Sequence, residues 1–193
     1  MAKRYRKRGL DKTARKMVAF LEERGVEGAT VLEVGGGVGE IQIELLERGA
    51  THSTNLELSP AYDGEALRLL SEHGLTGRAD RRLHDIAVDP ETVGPADVVV
   101  LHRVVCCYPD YERLLGTVAE HARRAVVFSY PPRNVGSRAF VAGANLFLRI
   151  MRREYRTFAH PPRAMLDVLE RRGLHRTFER HSLTWQVAGL ERA

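Results

Sequence analysis

The sequence has only two cysteines, Cys106 and Cys107, and they are adjacent. Neighbouring cysteines cannot staple distant segments, so a disulfide framework is excluded. No recognisable spacing of His or carboxylate residues joins them, so they read as small core-facing thiols and no metal is expected. No stretch reaches the roughly eighteen uninterrupted apolar residues that a bilayer-crossing helix needs. The basic start, Met1-Ala2-Lys3-Arg4, runs into further basic residues instead of an apolar signal core, which gives a cytoplasmic expectation. Repeats and low-complexity linkers are also missing. With 193 residues, 44% hydrophobic and 28% charged, the chain is expected to form a single domain over residues 1–193.

The formal charge of +5 is concentrated at the start. Lys3, Arg4, Arg6, Lys7, Arg8, Lys12, Arg15 and Lys16 face one acid, Asp11, and residues 1–10 read as a basic arm. Such an arm can meet RNA or an anionic membrane surface. With no aromatic stacking platform beside it, a solvated arm is the preferred reading and nucleic acid is not expected as a partner.

The rest alternates between strand and helix patterns. Ala14, Met17, Val18 and Leu21 share a helical face between Asp11 and Arg24, and Gly25 stops it. Ala29 to Val34 is a β-branched strand, followed by glycines and then a helix from Glu40 to Arg48. Strands follow at Ser53 to Leu58, Arg81 to Asp85, Ala96 to Leu101 and Ala125 to Tyr130, with helices at Tyr62 to His73 and Tyr111 to Ala122 between them. A helix from Pro162 to Arg172 and two β-like runs, His175 to Leu183 and Thr184 to Leu190, complete the pattern. Alternating βα units predict a doubly wound parallel α/β sheet with helices on both faces. Ligands of such sheets bind beyond the carboxyl ends of the strands.

The glycine turn Glu33-Val34-Gly35-Gly36-Gly37-Val38-Gly39 lies at one such end. A dinucleotide fingerprint needs its last glycine where this chain has Glu40, and a pyrophosphate there would face Glu33 and Glu40. A ligand with a cationic end suits these acids better. S-adenosylmethionine carries an ammonium, a carboxylate and a sulfonium but no phosphate, and Gly35, Gly36, Gly37 and Gly39 let backbone approach it without a Cβ clash. Glu57, twenty residues after Gly37, can accept ribose hydroxyls, with Leu58 against the adenine face. Asp85 can accept the adenine amine, with the amide of Ile86 addressing the ring. Tyr5 would join the cofactor cover if the arm folds back.

Val31 to Gly39, Leu56-Glu57-Leu58, His84-Asp85-Ile86 and the run from Ala96 resemble the successive cofactor motifs of class I S-adenosylmethionine-dependent methyltransferases, over roughly residues 10–190. The resemblance implies a Rossmann-like sheet of seven strands whose final two runs form a hairpin, the last strand inserting antiparallel. A narrower resemblance, through Gly35 to Gly39 and Arg103-Val104-Val105-Cys106-Cys107-Tyr108-Pro109-Asp110, is to the magnesium-protoporphyrin IX methyltransferases. This chain is shorter, its arm differs, and His102 stands where that group implies an acid.

In methyl transfer the protein aligns nucleophile and sulfonium and excludes water. A base is needed only for a protonated nucleophile. His102 is the candidate base, or else contacts the cofactor through its backbone alone. Tyr108 is the second candidate catalytic residue. Tyr130, Arg103 and Arg133 are candidate substrate contacts, the arginines clamping a carboxylate. A lid-like insertion is expected over residues 137–160. Its apolar helix, including Phe140, Leu146, Phe147, Ile150 and Met151, with Arg149, Arg152, Arg153, Tyr155, Phe158 and His160 after it or along it, either packs into the core or leaves an apolar face. Such a face would meet a hydrophobic ligand, a second subunit in a homodimer, or a membrane. The expected activity is methyl transfer to a small, largely apolar molecule with a carboxylate or hydroxyl group. The alternatives are an RNA or protein methyltransferase that uses the arm, disfavoured because no Asn/Asp-Pro-Pro-Tyr motif follows the fourth strand, and a non-catalytic nucleotide-binding member of the fold.

Overall fold

Alternating β-branched runs and amphipathic helices form, in the computed structural model, one seven-stranded sheet with helices on both faces. The structure describes residues 1–152 and 156–193, apart from the side chains at 138 and 140. In chain order the elements are α1 (Ala2–Arg8), α2 (Lys12–Glu22), β1 (Thr30–Val34), α3 (Glu40–Glu47), β2 (His52–Glu57), α4 (Asp63–Glu72), β3 (Ala79–Leu83), β4 (Ala96–Leu101), α5 (Tyr111–His121), β5 (Ala122–Tyr130), α6 (Val135–Ile150), α7 (Pro162–Glu170), β6 (Leu174–Arg180) and β7 (Gln186–Arg192). The strand order is β3-β2-β1-β4-β5-β7-β6. The first five strands are parallel, and β7 runs antiparallel between β5 and β6, as the family resemblance implies.

The central strands are apolar on both faces because both are covered. Val31, Val98, Val100, Ala125 and Val127 pack with α2 and α3 on one side, while Leu32, Val99, Leu101, Val126 and Phe128 pack with α5 and α7 on the other. In every strand but β4 at least one end shifts from the sequence expectation, as at β3 and β5. β3 starts at Ala79 and stops at Leu83, so Asp85 lies in the loop beyond it. β5 begins at Ala122 and takes in the exposed Arg123 and Arg124, which carry no apolar signal of a strand.

The arm is not a solvated tail. Residues 2–8 form α1, with Ala2 and Tyr5 buried. Arg4 pairs with Glu40 at 2.9 Å, and Arg6 with Glu65 at 2.9 Å and Glu72 at 2.7 Å. Burial of the Tyr5 ring supplies the adhesion, and the ion pairs set where the helix lies.

Of the two outcomes open to the apolar segment, exposure is the observed one. α6 starts on a capping box in which Asn134 and Ser137 bond each other's backbone N–H groups, at 2.9 and 2.8 Å. Leu146, Phe147 and Ile150 are 60%, 62% and 70% exposed. The chain then returns to the turn after β4, where the Phe158 N–H donates to the Cys106 carbonyl at 2.7 Å and His160 Nε2 meets the Tyr108 carbonyl at 2.9 Å. Arg153 and Tyr155 lie outside the described residues.

Tyr130 corrects a sequence expectation. At the end of β5 it is 1% exposed, stacked on Phe128 with centroids 5.2 Å apart, and its hydroxyl donates to Glu179 at 3.3 Å. Burial, with the Glu179 charge beside it, raises its pKa well above the usual phenol value. It is a packing residue, because the ring faces the α5–α7 layer. We predict that Tyr130→Phe costs about 1 kcal/mol in urea unfolding and Tyr130→Ala about 3–5 kcal/mol. Equal costs for the two variants would contradict the packing role.

Candidate functional site

Strand order reverses between β1 and β4, and the crevice beyond their carboxyl ends is where a sheet of this topology holds a ligand. A cavity of about 630 Å³ opens there. Of the residues singled out in the sequence, it brings together Gly35, Gly37, Glu57, Leu58, Asp85, Ile86, His102, Arg103 and Tyr108. Glu33, Gly36, Gly39, Tyr5, Tyr130 and Arg133 do not border it.

The glycine turn owes its shape to crowding below and space above. A Cβ on Gly35 would lie 2.5 Å from Val104 Cγ2, and one on Gly36 would strike the Asn55 amide and come within 2.8 Å of Glu33 Cδ. A Cβ on Gly37, at φ +57°, would instead project into the cavity, 3.5 Å from Met1 Cε. The turn thus offers an open backbone surface of the kind a ligand cradle needs.

Glu33 corrects its expectation. It lies beneath the turn, 1% exposed, where its carboxyl accepts from the Gln42 N–H at 3.2 Å and Asn55 Nδ2 at 3.1 Å. Around it Ser53 donates to Gln42 at 2.8 Å, and Arg81 donates to Asn55 at 2.9 Å and to the Gly37 carbonyl at 2.8 Å. Burial and the nearby Glu40 charge push the Glu33 carboxyl up to about 8. At neutral pH it is therefore largely uncharged, and it shapes the turn instead of attracting a cation.

The other two acids stand in the cavity wall. Glu57 Oε2 accepts from the Gly37 N–H at 2.8 Å, and Oε1 from the Leu58 and Ser59 N–H groups at 2.8 and 3.0 Å. Three of a carboxylate's four or so acceptor positions are filled, and one on Oε2 is left. Beside it Leu58 is 60% exposed, an apolar surface at the mouth. Asp85 Oδ1 accepts from the Ala87 N–H at 3.0 Å, and the Tyr108 hydroxyl is 3.1 and 3.0 Å from the two Asp85 oxygens. Burial and that bond push the Tyr108 phenol up to about 12. It stays protonated, and Tyr108 is a hydrogen-bond donor to Asp85.

His102 is held by a neighbouring strand on one side of its ring. Its side chain is 7% exposed, with Nδ1 3.0 Å from Ser129 Oγ and Nε2 3.5 Å from Asp11 Oδ2. Nδ1 is thus held by Ser129, while Nε2, buried in the cavity wall beside Asp11, makes no hydrogen bond. Ser129 Oγ also accepts the Arg103 N–H at 2.9 Å and holds the residue at φ +61°. Arg103 donates to Asp11 at 2.6 Å, and its guanidinium lies 4.9 Å from the Trp185 ring centre. Asp11 caps α2 with its other oxygen, at 2.9 and 2.8 Å from the Thr13 and Ala14 N–H groups. Burial pushes the Asp11 carboxyl up, but His102, the Ala14 N–H and Arg103 outweigh this and hold it well below the usual carboxylate range.

Among the described residues, Asp11, Glu40 and His102 bring three ligand-type atoms within 4.8 Å of one another. Arg103 and Arg4 already hold the two carboxylates. Tyr5 turns its hydroxyl to Glu44 at 3.2 Å, and Met1, not Tyr5, reaches over the cavity. Arg133 is exposed on the loop before α6. Asp11, Ser129, Trp185 and Met1 had no signal in the sequence beyond a helix start for Asp11, because their meeting depends on the folded chain.

The model of the family described as a methyltransferase domain matches residues 3–190. No curated protein sequence matches the chain significantly. Among solved structures, the chain is similar to magnesium protoporphyrin IX methyltransferase (ChlM) from Synechocystis PCC 6803 with bound SAH, at TM-score 0.76 and 20% identity over 94% of this chain and 82% of that one. An O-methyltransferase family protein from Burkholderia thailandensis gives 0.74 and 22%, over 93% and 56% of the two chains. An O-methyltransferase family 2 protein from Planctomyces limnophilus in complex with apigenin gives 0.68 and 18%, over 96% and 63%.

The raised Glu33 pKa makes a prediction with a definite sign. Its folded value of about 8 exceeds the ordinary 4.5, so the folded state binds the proton more tightly and loses stability as pH rises between those values. The stability of Glu33→Gln relative to the parent should therefore climb across that window, by on the order of a few kcal/mol, and level off above it. Urea unfolding of both proteins at a series of pH values measures this. A difference that does not change with pH would refute the buried, uncharged carboxyl.

Proposed function

The chain belongs to the methyltransferase domain family and is a class I S-adenosylmethionine-dependent methyltransferase, and from that premise we propose that it methylates a small, largely apolar molecule through a carboxylate. The observation that carries this reading is the pairing of the two-acid cavity with Arg103 at its rim. When bound, S-adenosylmethionine supplies a methyl group already activated on a sulfonium.

The chain's own residues do the positioning. Glu57 keeps an acceptor position for a ribose hydroxyl, and Asp85 keeps one on Oδ2 for the adenine amine. Leu58 and Ile86 supply apolar contact to the ring. Gly37 lets the backbone approach, and Met1 on α1 covers the opening and limits water. Arg103 spends one of its five N–H donors on Asp11, and Trp185 holds its plane, which leaves donors for an acceptor carboxylate. A carboxylate arrives without a proton to lose, so its methylation needs no general base. Pairing of Arg4 and Arg6 within the protein supports a small acceptor over RNA. Glu57, Asp85, Gly35, Gly37 and Arg103 are the proposed binding residues.

Glu57→Ala and Gly37→Val should each weaken S-adenosylhomocysteine binding in calorimetry by at least about tenfold, one through lost hydrogen bonds and the other through a side chain in the cavity. Parent-like affinity in both would discredit the site. Arg103→Ala should lower catalytic efficiency by roughly one to two decades with cofactor affinity nearly unchanged, measured on the acceptor found by labelled methyl transfer to a metabolite extract. The labelled product should be an ester that alkali hydrolyses to methanol; an alkali-stable product would rule out a carboxylate acceptor.

A further inference from the structure

α6 is built inside out for a helix that packs on its own sheet. Val135, Ala139, Ala142, Gly143, Leu146, Phe147 and Ile150 recur at the spacing of a single helical face, and all are exposed. The opposite face carries Ser137, Val141, Ala144, Asn145 and Leu148, which are partly covered. Asn145 ties that face down through Thr157, donating to its carbonyl at 2.8 Å and accepting its N–H at 2.9 Å. The helix is therefore held with its apolar stripe outward. The stripe is about 24 Å long and tapers from Ala139, Ala142 and Gly143 to Leu146, Phe147 and Ile150, with the half-exposed Met151 just beyond.

Charge selects what covers it. Residues 121–153 contain no Asp or Glu, whereas residues 131–153 carry five arginines. Arg149 borders the stripe beside Ala142 on the helix face, and Arg133 and Arg152 are exposed at the two ends of α6. A second copy would bring two such sets of five arginines together against one adjoining acid each, Glu154, which opposes self-association. An apolar stripe framed by arginines suits a bilayer surface, where the side chains enter the acyl boundary and the guanidinium groups rise to the phosphates.

We propose that α6 is a membrane-surface helix, lying flat on anionic lipid with Leu146, Phe147 and Ile150 inserted and Arg133, Arg149 and Arg152 at the headgroups. It binds the surface without crossing it: among the described residues no helix is long and apolar enough to span a bilayer. The proposal is independent of the methyl acceptor, and its test reads binding and not turnover.

The test is co-sedimentation of the full chain with vesicles of phosphatidylcholine alone and of phosphatidylcholine mixed equally with phosphatidylglycerol. The parent should sediment with the mixed vesicles and be released by salt, with little bound to the neutral ones. Phe147→Ser should weaken binding by about tenfold or more, and Arg149→Gln by about fivefold. Both side chains are exposed, so circular dichroism and the thermal midpoint should match the parent in each variant. Failure of the parent to bind the mixed vesicles, or parent-like binding by both variants, would overturn the proposal. So would concentration-dependent dimerisation in sedimentation velocity that Phe147→Ser abolishes, since the stripe would then belong to a second copy.

Discussion

The structure turns on a buried polar network beneath the glycine turn. Glu33 on β1, Gln42 on α3, Ser53 and Asn55 on β2 and Arg81 on β3 bond one another in the layer where a sheet of this kind is otherwise apolar. Buried polar groups are stable only with partners, so each member demands the others. The consequence for the turn is geometric. Asn55 and Glu33 occupy the space where a Cβ of residue 36 would go, and Arg81 grips the Gly37 carbonyl from the β3 side. Only glycine fits over the network, and the backbone laid across it presents the Gly37 N–H to Glu57. The cavity floor and one of its two acids are thereby set by groups that never touch the cavity.

A second connection ties the beginning of the chain to the site. Asp11 gives one oxygen to the start of α2 and the other to Arg103, 92 residues away. Arg103 sits at the turn after β4 in a left-handed conformation that Ser129 on β5 stabilises through its N–H. Helix start, rim arginine and neighbouring strand are thus coupled, and the same arrangement turns His102 inward. With α1 docked through Tyr5 ahead of Asp11, the N-terminal segment brings Met1 to the cavity.

The sequence made the sheet legible because its signals are local. β-branched runs buried on both faces, glycine stops and helical spacing each need only a few residues of context, and Glu57, Asp85 and the glycines were placed by their position after strands. What stayed hidden depends on contacts between distant residues. Glu33 reads the same as Glu57 in sequence, an acid at a strand end, but β1 lies at the centre of the sheet and α3 closes over it, so burial raises its pKa. Tyr130 and Tyr108 are both tyrosines after strands, yet one meets Phe128 in the core and the other Asp85 in the cavity. α6 carries the apolar content of a core helix, and only the Asn145–Thr157 tether decides which face it hides.

The two cavity acids share a property that bears on how the proposed site would take its cofactor. A bare carboxylate in a half-closed cleft would hold water tightly and resist displacement, whereas one fully bonded to protein would have nothing to offer a ligand. Glu57 and Asp85 lie between these limits. Glu57 is held by three backbone N–H groups and keeps one position on Oε2. Asp85 is held by the Ala87 N–H and the Tyr108 hydroxyl, and its Oδ2 receives only the shared phenol proton. Each acid is thus aimed before a ligand arrives, with its charge kept by donors that need not leave. On the proposed reading the ligand fills vacant acceptor positions and does not compete for occupied ones, so little reorganisation accompanies binding. The same logic extends to the rim, where Arg103 is oriented by Asp11 and Trp185 while most of its donors remain free. Fixing partners on the protein side and leaving one direction open is how this chain obtains a rigid site from flexible side chains.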